Sequence, residues 1–237
     1  MPNEIIRKHI CQSKIQNLKF KIQLMYPKGN LQIPASHGAL EAILKEPKGE
    51  IKGAAIVCHP HPLGQGTMHN KVVYRAAAGL NEAGLVALRF NFRGVGNSTG
   101  AHDDGIGEKQ DVIDALDFLT TNYPDLEITL AGFSFGSRVG SEVALDDHRI
   151  VRLISIGTPV DKYDFSYLKH ERQPILFVHG DSDEFGTVEH LNEVVELVEA
   201  ADKTVIVFEN CGHFFDEHLE QLKNAVRDWT LKQVSGF

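Results

Sequence analysis

The chain has 237 residues, of which 42% are hydrophobic and 24% are charged, and its formal net charge is −8. A chain of this length buries roughly 70–75% of the surface that its unfolded form exposes, so it can build a core without disulfides or metal ions. The acidic balance argues against a nucleic-acid partner and against docking on an anionic membrane, because both require clustered basic residues.

The chain has three cysteines, Cys11, Cys58 and Cys211. An odd and small number of cysteines does not indicate a disulfide framework. The N-terminus lacks the apolar core of a signal peptide, and no stretch reaches the roughly 18 apolar residues of a transmembrane helix. We therefore expect a reduced, cytoplasmic protein. The sequence leaves a homodimer open.

The first 50 residues carry two strand signals. Residues 18–24 alternate between apolar and polar side chains, which is typical of a half-buried strand. Residues 31–33 and 40–44 flank Ser36-His37-Gly38, which predicts a hairpin. We expect these to be antiparallel edge strands, and residues 1–25 form an N-terminal extension to which the sequence assigns no role.

From residue 51 onward, short apolar runs alternate with amphipathic segments. The predicted strands are 54–58, 86–92, 127–131, 153–156, 175–178 and 204–208, and the predicted helices are 72–83, 108–119, 136–145, 188–198 and 215–234. This alternation predicts an α/β fold with a mostly parallel sheet covered on both faces. With no linker or repeat in view, we expect residues 1–237 to form a single domain.

Gly132-Phe133-Ser134-Phe135-Gly136 fits the nucleophile elbow G-x-S-x-G, in which a sharp turn from strand to helix exposes a serine hydroxyl. The pattern also occurs at Gly96-Asn97-Ser98-Thr99-Gly100, so context must decide. Ser134 directly follows a predicted strand and directly precedes a helix, whereas Ser98 is followed by a loop. We therefore expect Ser134 to be the nucleophile and Ser98 to belong to a structural turn.

A nucleophilic serine needs a base, and the base needs an acid to orient it. His213 follows the last predicted strand, and Asp181 and Asp183 both follow the strand before it. The chain order Ser, Asp, His, with each residue at the carboxyl end of a strand, is the order of the α/β-hydrolases. Position alone leaves both aspartates open as the acid.

The segment His59-Pro60-His61-Pro62-Leu63 follows the first central strand, where the second N–H donor of an oxyanion hole is expected. Prolines have no N–H, so the donor must be His61, Leu63 or a later residue, paired with the N–H of Phe135. His59 and His61 could also approach a metal, but they point to opposite faces of an extended segment. We therefore expect no metal and no cofactor.

Other polar residues near these strand ends allow two interpretations. Leu63, His69 and Asn70 could line a substrate pocket. Arg93 could hold an acidic substrate group, although a structural ion pair with Asp103, Asp104 or Glu108 is the simpler interpretation.

Taken together, the motifs resemble the small bacterial serine hydrolases of the α/β-hydrolase superfamily whose oxyanion loop reads His-Pro-His-Pro. The resemblance covers roughly residues 31–230 and includes Met68-His69-Asn70-Lys71, the run from Arg89 to Gly100, the Ser134 elbow and Cys211-Gly212-His213. It implies a Ser134, Asp183 and His213 triad, with oxyanion amides near His61 and Phe135. The residues before position 25 exceed what the family leads us to expect.

The function we expect is hydrolysis of short-chain carboxylic esters, a small-molecule substrate, through an acyl-enzyme. A thioesterase or amidase would use the same triad, and a non-catalytic ligand-binding protein on the same scaffold is the alternative class. Ser134 at the elbow disfavours relatives with an Asp or Cys nucleophile. The connection between the fourth and fifth central strands is about fifteen residues long, too short for a separate lid domain.

Overall fold

The computed structural model of the protein describes residues 29–235, in which strands and helices alternate. The strands are β1 (Gly29–Ala35), β2 (Gly38–Lys45), β3 (Gly53–Cys58), β4 (Leu85–Phe90), β5 (Ile128–Phe133), β6 (Ile150–Ile156), β7 (Ile175–Gly180) and β8 (Lys203–Phe208). The helices are α1 (Lys71–Glu82), α2 (Ile106–Asn122), α3 (Phe135–Asp146), α4 (Val188–Leu197) and α5 (Leu219–Val234). Short 3₁₀ helices span Pro62–Gly64 and Ser166–His170.

The eight strands form one sheet in the order β1-β2-β4-β3-β5-β6-β7-β8. The hairpin β1–β2 and the pair β2–β4 are antiparallel, and every other neighbouring pair is parallel. The predicted mostly parallel sheet with N-terminal antiparallel strands is confirmed. The predicted strand at 18–24, the extension 1–25 and Cys11 lie outside the described residues.

Strand β3 shows why both faces of the sheet are covered. All six of its residues are buried, and successive side chains point to opposite faces. Ala54 and Ile56 join the core beneath α2, α3 and α4, whereas Ala55 and Val57 join the core beneath α1 and α5. A continuous apolar run, rather than an alternating one, is the sequence signature of such a strand.

The last helix begins at Leu219 and not near residue 215, where its predicted range starts. Phe215 has a φ of 54°, in the left-handed region that ends or precedes a helix rather than continuing it. Its N–H donates to the carbonyl of Gly212, and the N–H of His218 donates to the carbonyl of Phe215. Residues 215–218, which sequence periodicity assigned to the helix, therefore form turns instead.

The connection between β6 and β7 spans residues 157–174 and contains only one short 3₁₀ helix, so no large cap domain is inserted there. Phe165 is buried, and the Tyr167 hydroxyl lies 2.8 Å from the Ser141 hydroxyl of α3. These two side chains hold the connection down on the body of the protein. Within residues 29–235, no helix is both long enough and apolar enough to cross a bilayer.

Candidate active site

Three loops at the carboxyl edge of the sheet bring together the residues that the sequence singles out. Ser134 follows β5, Asp183 follows β7 and His213 follows β8. Because these strands are parallel, their carboxyl ends lie at the same edge of the sheet. The fold alone therefore makes the three side chains neighbours, although 79 positions separate Ser134 from His213.

The three side chains form a continuous hydrogen-bonded line. The Ser134 Oγ lies 2.9 Å from Nε2 of His213, and the His213 Nδ1 lies 2.8 Å and 3.0 Å from the two carboxylate oxygens of Asp183. A carboxylate can only accept, so Nδ1 carries the proton and Nε2 accepts from the serine hydroxyl. Asp183 and His213 are buried, which shields this line from water.

Ser134 occupies a strained backbone conformation at the junction of β5 and α3. Its φ is 55° and its ψ is −121°, a region that residues with a side chain rarely enter. A Cβ on Gly132 would collide with the carbonyl of Gly136, and a Cβ on Gly136 would lie 2.6 Å from the Cys58 carbonyl oxygen. The two glycines of the elbow are thus the condition for the close approach of helix, strand and serine.

The structure gives the two neighbouring aspartates different tasks. Asp183 meets His213, and it also accepts the N–H of Phe185 at 2.9 Å. Asp181 points away from the histidine ring and accepts the N–H groups of Asn210 and Cys211 at 2.9 Å and 3.1 Å. These backbone donors hold the pKa of Asp181 below its usual value. Asp181 therefore ties the acid-bearing turn to the loop that carries His213.

The loop that the sequence predicts for an oxyanion hole, residues 61–66, has one N–H group without an acceptor among the described residues. In the described chain, the N–H of Leu63 donates to Nδ1 of its neighbour His61 at 3.2 Å, and those of residues 64–66 donate to the carbonyls of His61 and Pro62. The backbone N–H groups of His61 and Phe135 have no hydrogen-bond acceptor within residues 29–235. Both residues line the cavity that contains Ser134.

His59 anchors this loop from below. Its ring is fully buried, with Nδ1 2.6 Å from the Pro60 carbonyl oxygen, while Nε2 accepts the N–H of Phe92 at 3.0 Å. Burial lowers the pKa of His59 to about 4. Both ring nitrogens are engaged with the backbone, so binding a metal here would require breaking one of these bonds.

His61 is held by aromatic contacts instead. Its ring centroid lies 4.7 Å from that of Phe135 and 4.9 Å from that of His102. His102 in turn places Nδ1 2.7 Å from the buried carboxylate of Glu108. Burial, and secondly the neighbouring His102, lower the pKa of His61. Both effects favour the uncharged form of the His61 imidazole.

Two other residues considered from the sequence have structural contacts. Ser98 donates its hydroxyl proton to the Asn91 carbonyl at 2.7 Å and accepts the N–H of Glu41 at 2.9 Å. Arg93 forms a salt bridge of 2.7 Å, and its partner is Asp111 rather than Asp103, Asp104 or Glu108. Ser98 and Arg93 both brace loops behind the carboxyl edge of the sheet.

A cavity of about 440 Å³ opens above Ser134. Besides Ser134 and His213, its lining combines apolar rings, amides and one ammonium: Pro60, His61, Gly64, Gln65, Gly66, Asn70, Phe135, Pro159, Lys162, Tyr163, Phe185 and Phe214. Asn70 belongs to this set. Leu63, whose side chain is 75% exposed, and His69, whose N–H donates to Thr67, lie outside it.

Sequence reasoning missed several of these lining residues. Phe185 and Phe214 stand within two positions of Asp183 and His213, so their proximity in the chain was an available signal. Lys162 lies in the irregular connection between β6 and β7, where no periodicity indicates which side chains face the site.

The two described cysteines lie close to the site but are poor nucleophiles. Cys58 and Cys211 are both buried free thiols. Burial raises the pKa of Cys211 to about 11 and raises that of Cys58 further. A thiol that stays protonated at neutral pH is unreactive, so both act as small apolar side chains.

Comparison with known proteins agrees with this fold. The sequence profile of a family described as an alpha/beta hydrolase domain matches residues 53–231. An uncharacterized protein of Rickettsia prowazekii is 33% identical over 210 residues, which are 81% of this chain and 88% of that protein.

Two solved structures are similar over almost their whole length. An alpha-beta serine hydrolase homologue from Coxiella burnetii is 37% identical with a TM-score of 0.81, covering 86% of this chain and 98% of its own. A member of the serine hydrolases described as lacking a lid, from Xanthomonas campestris, is 32% identical with a TM-score of 0.82, covering 90% of this chain and 98% of its own. These matches confirm the fold predicted from the sequence.

The lowered pKa of His59 predicts a loss of stability in mild acid. Between pH 6.5 and 4 the unfolded chain binds a proton at this histidine that the folded protein does not bind, so the free energy of unfolding falls as the pH falls through this window. The full loss from this residue is roughly 3 kcal/mol, reached below pH 4. Denaturant unfolding between pH 7.5 and 4.5 measures most of this fall.

The matched variants are His59→Gln, whose amide oxygen can accept the Phe92 N–H, and His148→Gln at an exposed position. We expect His59→Gln to be less stable at pH 7.5 but to lose less stability on acidification. An acid dependence in His59→Gln as steep as that in His148→Gln would contradict the assignment.

Proposed function

The chain belongs to the alpha/beta hydrolase family, and we propose that it is a serine hydrolase that cleaves short-chain carboxylic esters through an acyl-enzyme. The observation that carries the proposal is the hydrogen-bonded line from Ser134 through His213 to Asp183, which ends at the floor of a cavity. Similarity to serine hydrolases from two bacteria supports the same class of chemistry.

Each member of the line has one task in the proposed reaction. The Nε2 atom of His213 takes the hydroxyl proton of Ser134 as Oγ attacks the ester carbonyl carbon, and it then gives that proton to the departing alcohol. Water repeats these steps on the acyl-enzyme and releases the acid. Asp183 keeps the imidazole in the tautomer with Nδ1 protonated and stabilises the imidazolium that forms transiently.

The oxyanion of the tetrahedral intermediate would be held by the N–H groups of His61 and Phe135. Both are backbone donors without a protein acceptor among the described residues, and the second lies at the N-terminus of α3. The partial positive charge of a helix N-terminus favours a developing negative charge at this point. The His-Pro-His-Pro loop contributes by removing two N–H groups and leaving that of His61.

A thioester or an amide would react at the same residues, so these substrates remain the second candidate within the enzyme class. The alternative is a ligand-binding protein without catalysis. The strained φ of Ser134 favours the enzyme, because a binding protein would gain nothing from storing strain at that residue.

The form of the site favours small substrates. The connection between β6 and β7 supplies Tyr163 to the cavity wall but no domain that could cover the opening. Each methylene of an acyl chain gains about 0.8 kcal/mol only where it is buried, so a long chain would gain little beyond the cavity. The lidless relative from Xanthomonas campestris is consistent with this proposal.

We predict that Ser134→Ala lowers kcat by about 10⁴-fold or more, because the covalent step is lost. Ser98→Ala, at the other match to the same motif, should keep most of its activity. Turnover of p-nitrophenyl butyrate, together with mass spectrometry of a fluorophosphonate adduct, measures both effects. An adduct on Ser98 would refute the assignment.

The paired aspartates give a second prediction. Asp183→Asn should lower kcat by up to about 10⁴-fold, because an amide can donate to Nδ1 and so favours the wrong imidazole tautomer. Asp181→Asn keeps an acceptor for one of the two backbone donors and should cost far less activity, with a lower melting temperature as its main effect. If Asp181→Asn caused the larger fall in kcat, the roles would be exchanged.

The third prediction concerns chain length. Across p-nitrophenyl esters from acetate to palmitate, kcat/KM should be highest for short acyl chains and should show no increase at a lipid interface. The same series on a protein that begins at Met25 tests whether residues 1–25 affect selectivity. A maximum at long chains in both proteins would show that the cavity accommodates more than its form suggests.

A further inference from the structure

The cavity above Ser134 has an unusual charge for this protein. The chain carries a formal net charge of −8, yet none of the described residues that line the cavity is an aspartate or glutamate. Its lining contains one side chain with a fixed positive charge, Lys162. The cavity lining therefore carries a positive charge, whereas the protein as a whole carries a negative net charge.

The ammonium of Lys162 lies near the rings of Phe185 and His213. Its Nζ lies 5.5 Å from the ring centroid of Phe185, in the range of a cation–π contact, and the Phe185 ring lies 4.5 Å from that of His213. The ammonium thus lies no more than the sum of these two distances, about 10 Å, from the His213 imidazole. This is within reach of a small substrate that is bound to Ser134.

The described carboxylates around Lys162 form no direct ion pair with it, although the pKa of Asp161 is lowered first by its hydrogen bond to His190 and to a smaller extent by the charge of Lys162. No acid among residues 29–235 lies within salt-bridge distance of Nζ, and the neighbouring Asp161 lies 2.7 Å from His190 instead. Asp164 accepts both hydrogen-bond donors of Ser166. Arg138 packs against the neighbouring Tyr163 ring, shares the carboxylate of Glu142 with Lys109 and does not line the cavity.

A second polar group in the cavity supports the same ligand chemistry. Asn70 uses its side-chain oxygen to cap α1 through the N–H of Val72, which leaves its NH₂ group without an acceptor in the described chain. Two described carboxylates lie next to His213 without lining the cavity: that of Asp183, which is held by Nδ1, and that of the exposed Glu184, which accepts the N–H of His213 at 3.5 Å. The lining therefore presents unpaired donors and no carboxylate among the described residues, which suits an anionic group.

We propose that the preferred substrates are short esters that also carry one carboxylate, such as monoalkyl esters of dicarboxylic acids, and that Lys162 is the residue that selects them. This inference rests on the proposed ester hydrolysis and names its substrate class. The ammonium pairs with the substrate carboxylate, while the ester carbonyl lies at Ser134. A cationic ester would be repelled by the same group.

The test compares esters that are matched in chain length: monoethyl succinate with ethyl butyrate, monoethyl glutarate with ethyl valerate, and monoethyl adipate with ethyl hexanoate. The measured quantity is the ratio of kcat/KM for the anionic ester to that for the neutral one. We expect a ratio above one for at least one chain length. Lys162→Gln should lower that ratio by up to about fivefold, as for a partly exposed ion pair, and Lys162→Glu should lower it further.

Three controls separate a direct contact from a general charge effect. Lys109→Gln removes one positive charge from an ion pair with Glu142, away from the cavity lining, and should leave the ratio unchanged. Glu184→Gln removes an exposed carboxylate next to His213 and should raise the ratio. Raising the salt concentration should lower the ratio in the natural protein and have less effect in Lys162→Gln, because salt screens exposed charges.

A carboxylate in the alcohol part tests the other orientation, with 4-acetoxybutyrate compared with butyl acetate. Ratios of one or less in all pairs, unaffected by Lys162→Gln, would overturn the inference while leaving ester hydrolysis in place. If no ester is hydrolysed, the proposed function fails, and the inference is then decided by binding. Saturation-transfer NMR of Ser134→Ala with monoethyl glutarate and ethyl valerate should show tighter binding of the anion, weakened by Lys162→Gln, and equal binding would overturn it.

Discussion

The close approach of helix α3 to the carboxyl end of β3 is the constraint on which the rest of the site depends. Because Gly136 has no side chain, the start of the helix lies against the backbone carbonyls of Cys58 and His59. That contact fixes the elbow and the oxyanion loop relative to each other. The strained φ of Ser134 follows from it, since the chain must turn from strand to helix within this space. Ser134 and the N–H groups of His61 and Phe135 are therefore positioned by backbone packing.

Buried polar contacts then keep the oxyanion loop in place. His59 connects the loop to the segment after β4 through two backbone hydrogen bonds, and it must stay uncharged to do so. His61 lies between Phe135 and His102, and its own Nδ1 accepts the N–H of Leu63. Each histidine accepts a backbone N–H, which fixes its tautomer. The same residue type thus serves in the loop as a structural acceptor and in His213 as the proposed base.

The sequence predicted the parts of the molecule that strong local signals determine. Continuous apolar runs located β3 to β8 within a few residues, and the position of Ser134 and His213 at strand ends brought them to one edge. The choice between Asp181 and Asp183 needed the resemblance to a family, because it depends on which side chain a turn directs toward His213. The choice between the N–H groups of His61 and Leu63 depends on hydrogen bonds inside a 3₁₀ turn, which periodicity does not reveal. Lys162 and the Arg93–Asp111 pair arise from tertiary contacts without a local pattern.

The hydrogen bonds between the turn that carries Asp183 and the turn that carries His213 affect how the site would unfold locally. Asp181 binds the N–H groups of Asn210 and Cys211, and the Ser182 N–H donates to the Cys211 carbonyl. These contacts join the two turns to each other, whereas one side-chain hydrogen bond joins them to Ser134. Strand β8 is a half-buried edge strand of the sheet, and such strands open more readily than the core of a fold. A local opening there would move the turns that carry Asp183 and His213 together while β3 and β5 stay paired, so the hydrogen-bonded line from Ser134 would break before the protein lost its fold.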